Sequence, residues 1–519
     1  MASEIRGANS ASAADESQTD VAPPIVRIGF VQRFTVLRSA VRELWLTFAT
    51  KFTMIVAYSV MNSTLILWMS SDLGFGDLKA GAWMGAWSSV MTLVTVMVGS
   101  LTDSIGIRRT LLLGGGICVA SRVALTGSVH PLVALGLGLF PLAVGESLLG
   151  PVMVAATKRF ATTAQRSISF SIVYSVMNAG FLVASYIFDY TRKGFDFHGK
   201  HIGGEHGFYT FPLIGTLSTY RTLFLISLVL SLPTLLLVVF FMREGVEVTD
   251  EGVSITPLVP KYPGEGMVRT AGLTVADTAK DTARIFGGLW RQPGFYRFLI
   301  FLLFASFMRL IFYHTSYTFP KFGIRELGDG APVGRLSAIN FILIIFLVPI
   351  VGALTQRIAA YKMVVFGSCI AASSVFFMAV SPEVFRPMAN GWFGDLIAHK
   401  WFGLTGPVNP WYVSIVLFYI TVSLGEAFYS PRLYEYAAVI APRGQEASYM
   451  ALSYLPMFLA KLVAAPLSGL LLMKFCPEHG PRHSQTMWLI IALMTAVAPV
   501  GLIVFRKYIQ VHEEGREEG

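Results

Sequence analysis

Charge is scarce in this chain. Only 14% of its 519 residues are charged, against 54% hydrophobic, and mean hydropathy is +0.61. A soluble protein of this length needs more charge to cover its surface, which excludes an ordinary soluble domain. Cysteine is scarcer still: Cys118, Cys369 and Cys476 lie far apart, at no metal-ligand spacing. The first two fall in apolar segments, which argues against a disulfide framework. No Gly-rich Lys-Ser/Thr loop is there to cradle phosphates, so ATP-driven pumping has no support. Nor is there a metal cluster, a cofactor motif or a nucleophile–base arrangement; the chain does not read as an enzyme. Residues 1–24 are small, polar and acidic, which fits a disordered tail and not a cleavable signal. The net charge of +9 does not call for nucleic acid. Much of it flanks apolar runs, where basic residues mark cytoplasmic loops.

What abounds is apolar runs of about 20 residues, the length that crosses a bilayer. Twelve are counted, near 45–69, 80–100, 110–128, 131–156, 168–190, 220–242, 296–318, 335–354, 361–380, 411–438, 447–473 and 485–506. The fold class expected is an all-α membrane protein of 12 transmembrane helices in two pseudo-symmetric six-helix halves. Residues 1–44 are a cytoplasmic tail ending in an amphipathic segment with Arg27, Arg33, Arg38 and Arg42. The first half covers 45–242, a cytoplasmic linker with a surface helix at 275–290 covers 243–295, the second half covers 296–506, and 507–519 form a second tail. Arg108 and Arg109, Lys158 and Arg159, Arg357 and Lys362, Arg443, and Arg506 and Lys507 fall on one side of the membrane if both termini are cytoplasmic. Residues 381–410 form an extra loop between spans 9 and 10.

The halves repeat one another. Residues 145–151 read Gly-Glu-Ser-Leu-Leu-Gly-Pro and 425–431 read Gly-Glu-Ala-Phe-Tyr-Ser-Pro. The same offset of 280 pairs Tyr174 with Tyr454 and Met177 with Met457. Gly99-Ser-Leu-Thr102 recurs as Gly352-Ala-Leu-Thr355, at an offset of 253. A membrane protein built twice over, with a glutamate in matching helices, points to a secondary transporter whose site lies between its halves.

Residues 99–109, Gly-Ser-Leu-Thr-Asp-Ser-Ile-Gly-Ile-Arg-Arg, resemble the loop signature of the major facilitator superfamily. There Gly106 permits a tight turn, and Asp103 with Arg108 and Arg109 would latch the cytoplasmic side in one conformational state. Residues 425–442, with Gly-Glu, Ser430-Pro431 and the closing Ala441-Pro442, resemble the tenth-helix signature of proton-dependent oligopeptide transporters. Ser337-Ala-Ile-Asn340 through Pro349 and Phe170 through Gly180 resemble that family's eighth and fifth helices. The chain departs from the family in its first span. The Glu-x-x-Glu-Arg places are Lys51, Phe52, Thr53, Met54 and Ile55, and the lysine of the fourth helix is Gly150. Glu426 keeps the position that meets a peptide's amino group in the family.

Intramembrane charges define the candidate site. An isolated charge at mid-bilayer costs at least about 2.5–3.5 kcal/mol, so it persists with partners or water. Glu146, Arg309, Glu426 and Lys461 fall near mid-depth, where two acids and two bases can neutralise each other across a cavity. Lys51, Arg122 and His314 lie nearer span ends, where long cations can snorkel to the interface. Tyr174 and Tyr454, paired by the repeat, and the polar Asn178 and Asn340 complete the substrate- and proton-binding set. The resemblance implies alternating access driven by an ion gradient: proton-coupled symport of a small charged or zwitterionic organic solute, peptide-like solutes included. A proton-driven exporter or antiporter on the same fold and a non-transporting receptor are the alternatives. The expected partners are the substrate, protons and the lipid bilayer of a cell membrane, plasma or bacterial inner, around a monomer.

Overall fold

A computed structural model describes residues 36–510, apart from 198–199, 203–206, 356–357, 441–454 and most of 256–292. The first of its two units, Met1–Ser39, is described only over the 3-10 turn Val36–Ser39, so the amphipathic segment lies largely outside the described residues. The same holds for most of the expected surface helix at 275–290.

Among the described residues, the unit from Ala40 onward is built on twelve long helices. The first half holds α1 Arg42–Ser71, α2 Asp77–Ile105, α3 Ile107–Gly127, α4 Pro131–Arg159, α5 Thr163–Lys193 and α6 Thr219–Phe241. The second holds α7 Pro293–Tyr317, α8 Val333–Leu354, α9 Ala360–Ala379, α10 Trp411–Ile440, α11 Leu455–Phe475 and α12 Ser484–Val504. Ten of the twelve are long and apolar enough to cross a membrane. The remaining two, α2 and α11, have 29 and 21 residues and pack against each other. Each of the twelve expected spans overlaps one of these helices, residues 447–454 of the eleventh lying outside the described residues.

Local sequence sets the helix ends. Gly106 takes φ +90°, open to glycine at little cost, and turns α2 sharply into α3. Thr162 and Gln165 form a capping box at the start of α5, each satisfying a backbone N–H that the helix cannot. Between α5 and α6 the chain forms two short antiparallel hairpins, β1 Phe195–Phe197 with β2 Lys200–Ile202 and β3 Phe208–Phe211 with β4 Gly215–Ser218. A third, β5 Val246–Thr249 with β6 Gly252–Ile255, follows α6. The stretch between α9 and α10, expected as a loop, is mostly helical. It comprises a turn at Pro382–Phe385, short helices at Arg386–Ala389 and Trp392–Gly394, and a π-helical run at Asp395–Trp401.

The repeat is visible as packing. A Cβ on Gly145 would fall 2.9 Å from the Gly114 carbonyl oxygen, and one on Gly425 would fall 2.8 Å from that of Gly367. Gly114 and Gly367 differ by the same 253 positions that relate the Gly-x-Leu-Thr motifs. In each half, then, the glycine before the repeated glutamate presses the fourth helix onto the backbone of the third. Small residues at such crossings are what let membrane helices approach closely. The halves meet along two seams, α2 with α11 and α5 with α8.

Candidate functional site

The twofold repeat gives both halves a glutamate at the same place, but not the same partners. Close packing of α3 on α4 brings Arg122 onto Glu146, Nη2 to Oε1 at 2.5 Å, with both side chains at most 3% exposed. Arg122 Nε also donates to Ser227 Oγ at 2.7 Å, and Ser227 donates to the Ala57 carbonyl oxygen. The sequence reading set Arg122 at an interface and matched Glu146 with bases from other spans. The structure buries Arg122 instead, turned inward onto Glu146 of α4 and Ser227 of α6. Lys51, also expected to snorkel, is buried within electrostatic reach of Glu146.

In the second half the counterpart of Arg122, at the offset of 253, is the fully buried Val375. Glu426 therefore lacks an arginine from α9. Asn340 of α8 donates through Nδ2 to Glu426 Oε2 at 3.0 Å and to Ser423 Oγ at 2.9 Å. Arg309 of α7 acts electrostatically on the Glu426 carboxyl. Three expected residues thus converge: Glu426, Asn340 and Arg309.

Lys461 of α11 lies apart from both acids. Its ammonium is 3.4 Å from Thr92 Oγ1 of α2 and 5.8 Å from the centroid of the Tyr313 ring. Among the described residues no carboxylate comes within ion-pair distance of it. Tyr313 stacks on Tyr317, whose hydroxyl shares a 2.7 Å hydrogen bond with Ser88. Tyr58 of α1 lies within electrostatic reach of Tyr313, Tyr317 and Glu146. The three tyrosines link the two halves' charged groups through the middle of the molecule. His314 is buried against Thr318 Oγ1, which donates to Ser468 of α11, so it helps tie α7 to α11.

On α5, Asn178 donates to the Tyr174 carbonyl oxygen of its own helix at 2.9 Å. The Tyr174 ring packs against the cluster of Ile344 and Val351 of α8, Met363 of α9 and Ala427 of α10, across the seam between halves. Tyr454 lies outside the described residues, as does the side chain of Asp103. Arg108 bonds the Val238 and Val239 carbonyls at the end of α6, and Arg109 pairs with Glu244 at 3.9 Å. Neither of these contacts reaches the second half.

Ion pairs joining the halves are found at the opposite end, where the α1–α2 turn lies. Asp77 of α2 takes Lys321 at 2.7 Å and Arg325 at 2.9 Å, both from the helix Phe319–Leu327. Asp189 of α5 accepts the backbone N–H groups of Gly334 and Arg335 at 2.8 and 2.7 Å. It thereby caps the start of α8 from the other half. Arg192 reaches the carbonyls of Asp329 and Ala331 beside it. Among the described residues every cross-half ion pair lies at this end. The sequence reading missed these acids because each stands near a span terminus, where charges are expected to be merely solvated.

The sequence profile of the Major Facilitator Superfamily matches residues 47–398. No curated protein matches the chain. Solved structures do match it. A POT family transporter in complex with 5-aminolevulinic acid superposes with a TM-score of 0.65 at 16% identity, covering 90% of this chain and 97% of that one. A POT family transporter with a thioalcohol-conjugated peptide gives 0.65 at 16% identity, covering 91% and 97%. A mutant peptide transporter POT with alafosfalin gives 0.64 at 18% identity, covering 90% and 94%.

Proposed function

Because the chain belongs to the Major Facilitator Superfamily, we propose that it is a secondary active transporter of a small charged or zwitterionic organic solute, working by alternating access and coupled to protons. The superfamily is one of transporters, not of enzymes, and its members are integral membrane proteins. Both termini are assigned to the cytoplasm from the basic loops. The zwitterionic ligands of the matched structures support the solute class, peptide-like solutes among them.

The observation that carries the reading is Glu426 and its partners. A carboxylate held by an amide can take up a proton and still accept the Asn340 bond through its carbonyl oxygen. Glu146 differs, since protonating it strands the buried Arg122 charge, which is costly. Glu426 is therefore the acid that exchanges a proton or meets a substrate amine, and Arg309 is its counter-charge. Glu146 enters only when a ligand takes Arg122 from it. On this reading Tyr174, Asn178, Lys461 and Tyr454 also take part in binding the substrate, as the repeat and their depth in the sequence suggest.

Alternation follows from where the cross-half ties sit. On this reading the ties of Asp77 and Asp189 hold one end shut, and alternation opens it. Reversal requires these ties to hydrate and the Asp103, Arg108 and Arg109 loop to engage the second half. Uptake of labelled dipeptides and amino acids into proteoliposomes tests the reading. Wild type should accumulate solute under an inward proton gradient, and Glu426→Gln should lose gradient-driven uptake while keeping its fold. Equal uptake with and without the gradient removes the coupling, and export-only activity replaces symport with antiport.

A further inference from the structure

Counting charge through the middle of the helices gives an imbalance. The described groups there are Lys51, Arg122, Arg309 and Lys461 against Glu146 and Glu426. Arg432, nearer the end of α10, is spent on the Thr355 carbonyl and has Glu435 one turn on. Arg122 is consumed by Glu146, and Arg309 lies by Glu426. Two lysines remain, one per half, with no carboxylate of their own among the described residues. Lys461 is only partly buried, and its surroundings are hydrogen-bonding and aromatic groups without negative charge: Thr92, Tyr313 and, beyond them, Tyr317 with Ser88. Lys51, within electrostatic reach of Glu146, adds a second positive charge to the interior of the protein.

We infer that the transported solute is a net anion, a carboxylate or other oxyanion, whose negative group docks on the Lys461 ammonium beside Thr92 and the Tyr313 ring. The inference rests on the transporter reading above and narrows its solute class. An excess cation in a low-dielectric chamber is expensive and waits for an opposite charge. An incoming anion supplies it and forms charge-assisted hydrogen bonds with the ammonium. A zwitterion brings a positive group as well, which must sit near Glu426. A dication meets two lysines and is repelled. Lys51 acts at longer range, raising the positive potential that draws the anion inward.

The test is binding and uptake by the full chain with solutes of similar size and different charge: succinate, citrate and benzoate as anions, dialanine as zwitterion, putrescine as dication. Thermal stabilisation of the purified protein should rank anions above dialanine and leave putrescine without effect. Lys461→Gln should weaken anion binding about tenfold or more, and Lys461→Arg should restore most of it. Stabilisation by dialanine or putrescine alone, or by no anion in the panel, overturns the inference, and the wild-type ranking decides this even if the variants fail to fold. Anion binding without uptake in any gradient would instead sink the transporter reading and leave the anion site standing. Dialanine uptake with no anion binding would do the reverse.

Discussion

At the scale of single residues, the same glutamate serves two ends because its neighbours differ. Arg122–Glu146 is a closed, buried pair, and removing one partner leaves an uncompensated charge. Glu146→Gln should cost about 3–5 kcal/mol of stability, and replacing both partners with leucine should cost far less or nothing. Chemical or thermal unfolding in detergent of the single and the double substitution measures this. His399, on the helical segment between α9 and α10, shows a residue-scale effect of pH. Its Nδ1 faces Asp395 Oδ1 and its Nε2 faces the Gly406 carbonyl oxygen, both at 2.9 Å. Two acceptors demand two N–H groups, so the imidazolium is favoured and the pKa rises above 6.5, first through the Gly406 carbonyl and then through Asp395. A raised value means that the added order of this segment is complete below pH 6.5 and is lost as pH climbs through the raised pKa. Amide exchange across 395–406 should therefore quicken with rising pH beyond the intrinsic rate, and His399→Gln should abolish the excess.

At the scale of elements, the helices were legible because bilayer length and apolar composition leave little else to form. Their number and order follow from the runs alone, and so does the duplication, since motif spacing survives in sequence. Partnership across helices did not. Glu146 and Arg122 stand 24 residues apart on antiparallel helices, and only the Gly114–Gly145 crossing shows that they touch. The hairpins after α5 and α6 escaped notice for another reason, being too short to show a clear alternation. The glycine crossings give an element-level prediction. A Cβ at position 425 would lie 2.6 Å from the Ala371 amide nitrogen, so Gly425→Ala should force α9 and α10 apart and destabilise the protein. At Gly150 no atom lies within 4 Å of such a Cβ. Gly150→Ala should thus be neutral or stabilise by up to about 1 kcal/mol, through helix propensity. Melting temperatures of the two variants, compared side by side, separate crossing from ordinary helix positions.

At the scale of the whole molecule, the two halves are equivalent in plan and unequal in charge. The duplicated glutamates could be read from the sequence, but their division into a locked pair and an exchangeable site could not. That division rests on Val375 occupying the place that Arg122 fills in the first half. The seal at one end is likewise a property of the assembled chain, since each of its acids finds cations or amides more than 130 residues away. The Asp189 bond to the start of α8 also bears on how the protein is made. Asp189 leaves the ribosome 145 residues before the Gly334 amide it will cap. At about 5–20 residues per second, that carboxylate waits on the order of ten seconds for its partner. Until then the first half holds an acid with nowhere dry to go, and α8 arrives without a cap of its own. Neither half is finished until the other is built, so insertion of the second half completes the first.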